Sequence, residues 1–169
     1  MSSASPHALP HALPGPRARP PGERPQPELR SAYRLFRPIT TRWADNDAYG
    51  HVNNVVYYSW IDTTVNACLI ERGVLDVQTG PLIGLVVQSQ CHYFSPLAFP
   101  QAVVAGLRVA DIGSTSVRYE IALFADDDDR ARALPCAAKG HLVHVYVDRA
   151  TRRPASLPAD LVHVLETLK

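Results

Sequence analysis

Apolar residues recur at three- and four-residue intervals at Val56, Tyr57, Trp60, Ile61, Val65, Cys68 and Leu69, with Thr64 in phase. That rhythm predicts one long helix over residues 53–71, with Gly73 just beyond it as the stop signal. Val55, Tyr58 and Ile70 carry apolar character almost around the cylinder, so the helix is expected to be buried rather than to lie on a wet surface. Before it, residues 36–44 read as a strand on the β-favouring Ile39, Thr40, Thr41 and Trp43. After a loop containing Gly80-Pro81, further strand-like runs cover 82–94, 102–112, 116–124 and 133–147. Turns are expected at Ser95-Pro96, at Gly113-Ser114 and over 126–130. Val117, Tyr119, Ile121 and Leu123 alternate with Arg118 and Glu120, which gives that strand one buried and one wet face. A strand, a long helix, then four strands joined by short turns predicts an α+β fold in which an antiparallel sheet packs on the helix.

The first thirty residues break this regularity. Eight of the fifteen prolines fall there, and residues 6–14 contain a short tandem repeat, so neither helix nor interior strand is available. Residues 1–32 are expected to form a disordered proline-rich tail dispensable for folding, and residues 33–169 a single domain. Seventeen basic against sixteen acidic side chains leave a net charge of +1, which argues against a bulk nucleic-acid or membrane-surface role. Cys68, Cys91 and Cys136 lie far apart in no paired spacing, which suits free thiols in a reducing compartment better than disulfides or zinc. No run of apolar residues is long enough for a membrane span, and a cytoplasmic location is expected.

The densest chemistry lies in the run from Arg42 to Tyr58, Arg-Trp-Ala-Asp-Asn-Asp-Ala-Tyr-Gly-His-Val-Asn-Asn-Val-Val-Tyr-Tyr. Asp47 stands three residues before Gly50, and the helix begins at about residues 52–54. A helix start offers unpaired N–H groups and the positive end of the macrodipole, which together favour developing negative charge. A carboxylate beside such a cradle is what acyl transfer needs: one group to attack or to activate water, another to hold the oxyanion. Asp45, two residues earlier, reads as a turn carboxylate.

This run resembles the hot-dog acyl-CoA thioesterases of the 4-hydroxybenzoyl-CoA thioesterase family, whose pattern is Asp, two residues, Gly, then His-Val-Asn-Asn or a substitute, and Tyr three positions on. Phe94-Ser95-Pro96-Leu97, the glycine-serine hairpin over 112–120 and the stretch Val147-Asp148-Arg149 with Arg153-Pro154 resemble later parts of the same family, in the same order. The resemblance implies the hot-dog fold, an antiparallel sheet of about five strands wrapped around one long central helix. It implies Asp47 as nucleophile or general base, the Asn54 backbone amide as the group that polarises the carbonyl, and Gly50 as the tight turn between them. His51 is a further catalytic candidate, with a role in loop hydrogen bonding as the rival reading. Asn53 and Tyr57 are expected near the substrate, as helix cap and pocket wall. Neither a metal nor a separate cofactor is implied, since coenzyme A is part of the substrate; a homodimer or homotetramer is. Alternatives are an acyl-carrier-protein thioesterase, for the same His-Val-Asn-Asn run, or a non-catalytic acyl-CoA-binding protein of the same fold.

Other groups fit less specific roles. The carboxylates 126–129 lack the spacing of a calcium loop and read as a solvated turn. His92, His141 and His144 show no zinc spacing. Lys139, Arg149, Arg152 and Arg153 are the basic side chains suited to coenzyme A phosphates.

Overall fold

The computed structural model describes residues 25–169. Five strands, β1 (Leu35–Ile39), β2 (Leu82–Tyr93), β3 (Val103–Ile112), β4 (Ser116–Ala125) and β5 (Ala138–Asp148), form one sheet. Its order is β1-β3-β4-β5-β2, and every neighbouring pair is antiparallel. Helix α1 (Asn54–Glu71) lies across one face of the sheet, in the hot-dog arrangement. Residues opposite one another in register share a face, so Leu107, Ile121, Gly140 and Cys91 point inward to α1. A Cβ added to Gly140 would lie 2.6 Å from the Ile61 side chain of the helix, so the absent side chain lets helix and strand approach.

The helix is formed and bounded by local chemistry. Asn53 caps it, its side-chain oxygen accepting the Val55 N–H at 3.1 Å, and Gly73 lies in the left-handed region just after the last turn. Tyr57, Trp60, Ile61, Thr64, Val65, Cys68 and Leu69 are buried against the sheet. The helix is not buried all round, as its composition suggests: Val55, Tyr58 and Ile70 are exposed. It packs chiefly over β3, β4 and β5, and the middle of the edge strand β2 has Leu85, Val86 and Val87 exposed.

Other boundaries differ from the pattern for physical reasons. β1 ends at Ile39 because residues 43–45 turn into one 3-10 turn, locked by the Asp45 carboxylate accepting the Arg42 N–H at 2.7 Å. The stretch after β4 winds into a short α2 (Asp129–Ala133), capped by Asp128. β5 starts at Ala138 rather than residue 133, after Pro135, which has no N–H for a ladder. A third helix, α3 (Ala159–Glu166), buries Leu161 and Leu165 in the core; the i, i+4 leucines after Pro158 were its sequence signal.

The packed chain also begins before residue 33. Residues 28–33 cross the outer face of the sheet and cover a second apolar cluster of Tyr33, Val104, Ala122, Phe124 and Cys136. The Glu28 N–H donates to the Cys136 thiol at 3.3 Å, and the Cys136 N–H returns to the Glu28 carbonyl at 2.8 Å. The Glu28 carboxylate is paired with Arg108 and Lys139 and accepts the Tyr33 hydroxyl at 3.0 Å, and these partners hold it below the usual carboxylate range against the opposing effect of burial. Arg30 pairs with Asp126 at 3.0 Å and stands over the Phe124 ring. Residues 28–32, expected within the proline-rich tail, are therefore packed on the sheet, and residues 1–24 lie outside the described residues.

Candidate active site

The loop from Asp45 to Asn54 is a small closed hairpin. Asn46 and Val52 form an antiparallel bridge, the Asp47 N–H donates to the His51 carbonyl at 2.8 Å, and the Gly50 N–H returns to the Asp47 carbonyl at 3.1 Å. Gly50 takes φ +81° at the tip, a conformation that a side chain resists. Two bonds fasten the hairpin to the segment after β2: Val52 N–H to the Leu97 carbonyl at 2.8 Å, and Phe99 N–H to the Asn46 side chain at 3.0 Å.

Within this frame the two aspartates separate. Asp45 is fully buried and bonded to Arg42 through both backbone N–H and guanidinium, while its carbonyl accepts the Asn53 N–H at 2.8 Å. It holds the loop onto the helix cap. Asp47 is half-buried: its Oδ1 accepts the N–H groups of Tyr49 at 2.8 Å and His51 at 3.4 Å, and its Oδ2 has no partner among the described residues. One oxygen is oriented by the backbone and the other is free to act.

The helix start supplies the complementary group. Val55 N–H is taken by the Asn53 side chain and Val56 N–H by the Asn53 carbonyl at 2.9 Å, whereas Asn54 N–H, on an exposed residue, has no partner among the described residues. His51 presents an exposed side chain with no partner among the described residues. Tyr57 is buried, its ring edge-on to Tyr93 at 5.0 Å and near Trp60, and burial raises its hydroxyl pKa. Asp47, Gly50, His51, Asn53 and Asn54 thus share one hairpin and helix start, and Tyr57 sits beneath them. Sequence reasoning missed Tyr93. From the end of β2 its hydroxyl donates to the Asn54 carbonyl at 3.4 Å, so it closes the site from the sheet side. Only register places it there, and no local pattern near Tyr93 shows that register.

The remaining candidates disperse. Lys139 is paired with Glu28 and Glu120, and Arg149 donates to the carbonyls of Gly80 at 2.6 Å and Val77 at 3.1 Å. Arg152 and Arg153 are exposed and their side chains have no partner among the described residues. His141 faces outward opposite Glu120, and His144 faces inward opposite Val117. Among the described residues no three metal-ligating side chains converge.

Comparison with known proteins bears on the family and the fold. The sequence model of the thioesterase-like superfamily matches residues 41–165. Among solved structures, the PA5185 protein of Pseudomonas aeruginosa strain PAO1 is 51% identical, with a TM-score of 0.79, over 85% of this chain and 97% of that one. A thioesterase from Thermus thermophilus, complexed with coenzyme A and Zn, is 26% identical with a TM-score of 0.65, over 80% of this chain and 95% of that one. A 1,4-dihydroxy-2-naphthoyl-CoA thioesterase from Synechocystis is 16% identical with a TM-score of 0.67, over 77% of this chain and 93% of that one, a likeness of fold alone. A search of curated proteins found no match.

Proposed function

As a member of the thioesterase-like superfamily this protein is a thioester hydrolase, and we propose that it cleaves an acyl-CoA to a carboxylic acid and coenzyme A at the Asp47 hairpin. The observation that carries the reading is the Asp47 Oδ2, without a partner among the described residues while Oδ1 is held by two backbone amides, on the hairpin that leads into the Asn54 N–H, itself unpaired among the described residues. Asp47 takes a proton from water as the water oxygen attacks the thioester carbonyl carbon. The Asn54 amide, reinforced by the helix dipole, holds the oxyanion. Collapse breaks the C–S bond, and the departing thiolate receives the proton from Asp47. In the nucleophilic variant, Oδ2 itself attacks and expels the thiolate, and water then cleaves the mixed anhydride. Gly50 shapes the turn, and His51 and Asn53 orient the loop and helix start. Neither a metal nor a separate cofactor enters these steps.

The coenzyme A-bound Thermus relative supports the choice of thioester. The uncovered edge of β2, with Leu85, Val86 and Val87 exposed, supports a homodimer joined along that strand, since an unpaired edge of this length invites pairing. No helix among the described residues is long and apolar enough to cross a membrane, and the three free cysteines fit a reducing, cytoplasmic compartment.

Thiol release from a panel of short, long and aromatic acyl-CoA substrates tests the reaction. A single turnover in ¹⁸O-water tests the nucleophilic route: label left on Asp47 requires an anhydride opened at the aspartyl carbon, whereas direct water attack puts label only in the product acid. No thiol release from any member would overturn the reading.

A further inference from the structure

Twelve residues along α1 from the proposed oxyanion amide, the inner face of the sheet holds a pocket of about 160 Å³. Asn66 and Leu69 on α1, Val77 on the following loop, Gly84 on β2, and His144 and Tyr146 on β5 line it. His144 is 3% exposed, yet neither ring nitrogen has a hydrogen-bond partner among the described residues, and Nε2 is completely enclosed. A buried polar group without a partner is costly, and persistent cases call for an explanation. Gly84 leaves space in front of the ring: a Cβ there would lie 3.0 Å from His144 Nδ1 and 3.4 Å from the Tyr146 ring. Burial lowers the pKa of His144, so near neutral pH the ring is uncharged, with one nitrogen to donate and one to accept.

The pocket and the hydrolytic site lie on the same, helix-facing side of the sheet. Register puts Tyr93, Cys91, Ser89, Val86 and Gly84 of β2 on the helix side, and Val86 and Ser89 in the middle of that row are exposed. At one end of this row Tyr93 meets Asn54, and at the other Gly84 faces His144. A helix rises about 1.5 Å per residue, so the separation along α1 is about 18 Å. An extended chain covers roughly 1.2 Å per bond, which makes the span about fifteen bonds.

We propose that this pocket receives the far end of a long acyl chain and that His144 hydrogen-bonds a hydroxyl carried there, so that hydroxylated long-chain acyl thioesters are the preferred substrates. The identity of the ligand as an acyl group rests on the thioesterase reading. A volume near 160 Å³ admits the last few carbons and one hydroxyl, but no large head group.

The test compares hexadecanoyl-CoA with 16-hydroxyhexadecanoyl-CoA in wild type, His144→Phe and Gly84→Val, and measures binding of the two free acids directly. Wild type should favour the hydroxylated thioester by about tenfold in kcat/KM, the scale of one neutral hydrogen bond. His144→Phe, which keeps the ring and removes both nitrogens, should abolish that ratio and leave the plain substrate within about threefold. Gly84→Val, which fills the pocket from the strand, should slow both long substrates and spare hexanoyl-CoA. An equal preference in wild type and His144→Phe, or long substrates indifferent to Gly84→Val, would overturn the proposal. Failure of all hydrolysis would instead remove the Asp47 reading, and binding of the free acids would still decide the pocket: a preference for the hydroxy acid that His144→Phe abolishes supports it, and equal binding overturns it.

Discussion

Asp45 and Asp47 stand two residues apart, and their substitutions should fail in opposite ways. Asp47→Asn keeps the side-chain oxygen that accepts the Tyr49 N–H but removes the charge on the free side, so kcat should fall on the order of 10²-fold or more with KM and Tm little changed. Asp45→Asn weakens a buried carboxylate bonded to Arg42, so stability should drop by about 1–3 kcal/mol while the folded fraction keeps most of its turnover. Thiol-release kinetics beside thermal unfolding separate the two patterns. Near-normal turnover in Asp47→Asn would move the chemistry elsewhere. Gly50→Ala meets no atom within 4 Å and is opposed by backbone alone, at φ +81°. It should cost roughly 1–2 kcal/mol and lower kcat by shifting the Asp47 turn, readable in the same two assays.

At the scale of elements, the strap of residues 28–33 makes a prediction the sequence reverses. Proline density predicts that removing residues 1–30 is neutral, yet Glu28 and Arg30 are tied to Arg108, Lys139 and Asp126 on the outer face. That deletion should lower Tm, and Glu28→Ala alone should cost on the order of 1–2 kcal/mol. Unchanged unfolding for both variants would show that the strap contributes nothing. The Glu28 contacts to Arg108, Cys136 and Lys139 were illegible because they join residues 80, 108 and 111 positions apart. Period and capping are local, and so α1, the inner alternation of β4 and the Asp47 turn could be read directly. What lay outside that reach was set by register: Tyr93 against Asn54, His144 on the inner face and His141 on the outer, and the exposed middle of β2. α3 is legible in Leu161 and Leu165, four residues apart, although Pro154 and Pro158 just before it signal a break.

For the whole molecule, acid should loosen the fold earlier than carboxylate titration alone would. His141 is buried among Arg118, Glu120, His92 and Lys139, and burial followed by the Arg118 charge holds its pKa down to about 4. An unfolded chain binds that proton near pH 6.5, so stability falls as pH drops from about 6.5 towards 4, with His144 shifted in the same direction. Glu28, held below its ordinary value, adds a further loss under about pH 4.5. The His141 part is on the order of 1–3 kcal/mol, and His141→Gln should flatten the upper part of the Tm–pH curve. A curve already flat in wild type between pH 4 and 6.5 would refute it. The strand order has a consequence in time as well as in space. β2 pairs only with β5, whose first residue, Ala138, is made 45 residues after Tyr93 closes β2. At synthesis rates of about 5–20 residues per second, the nascent β2 waits roughly 2–9 s with both backbone edges open. During that interval its run Leu85-Val86-Val87 is an apolar stretch without a partner strand, a place for a chaperone to hold the growing polypeptide.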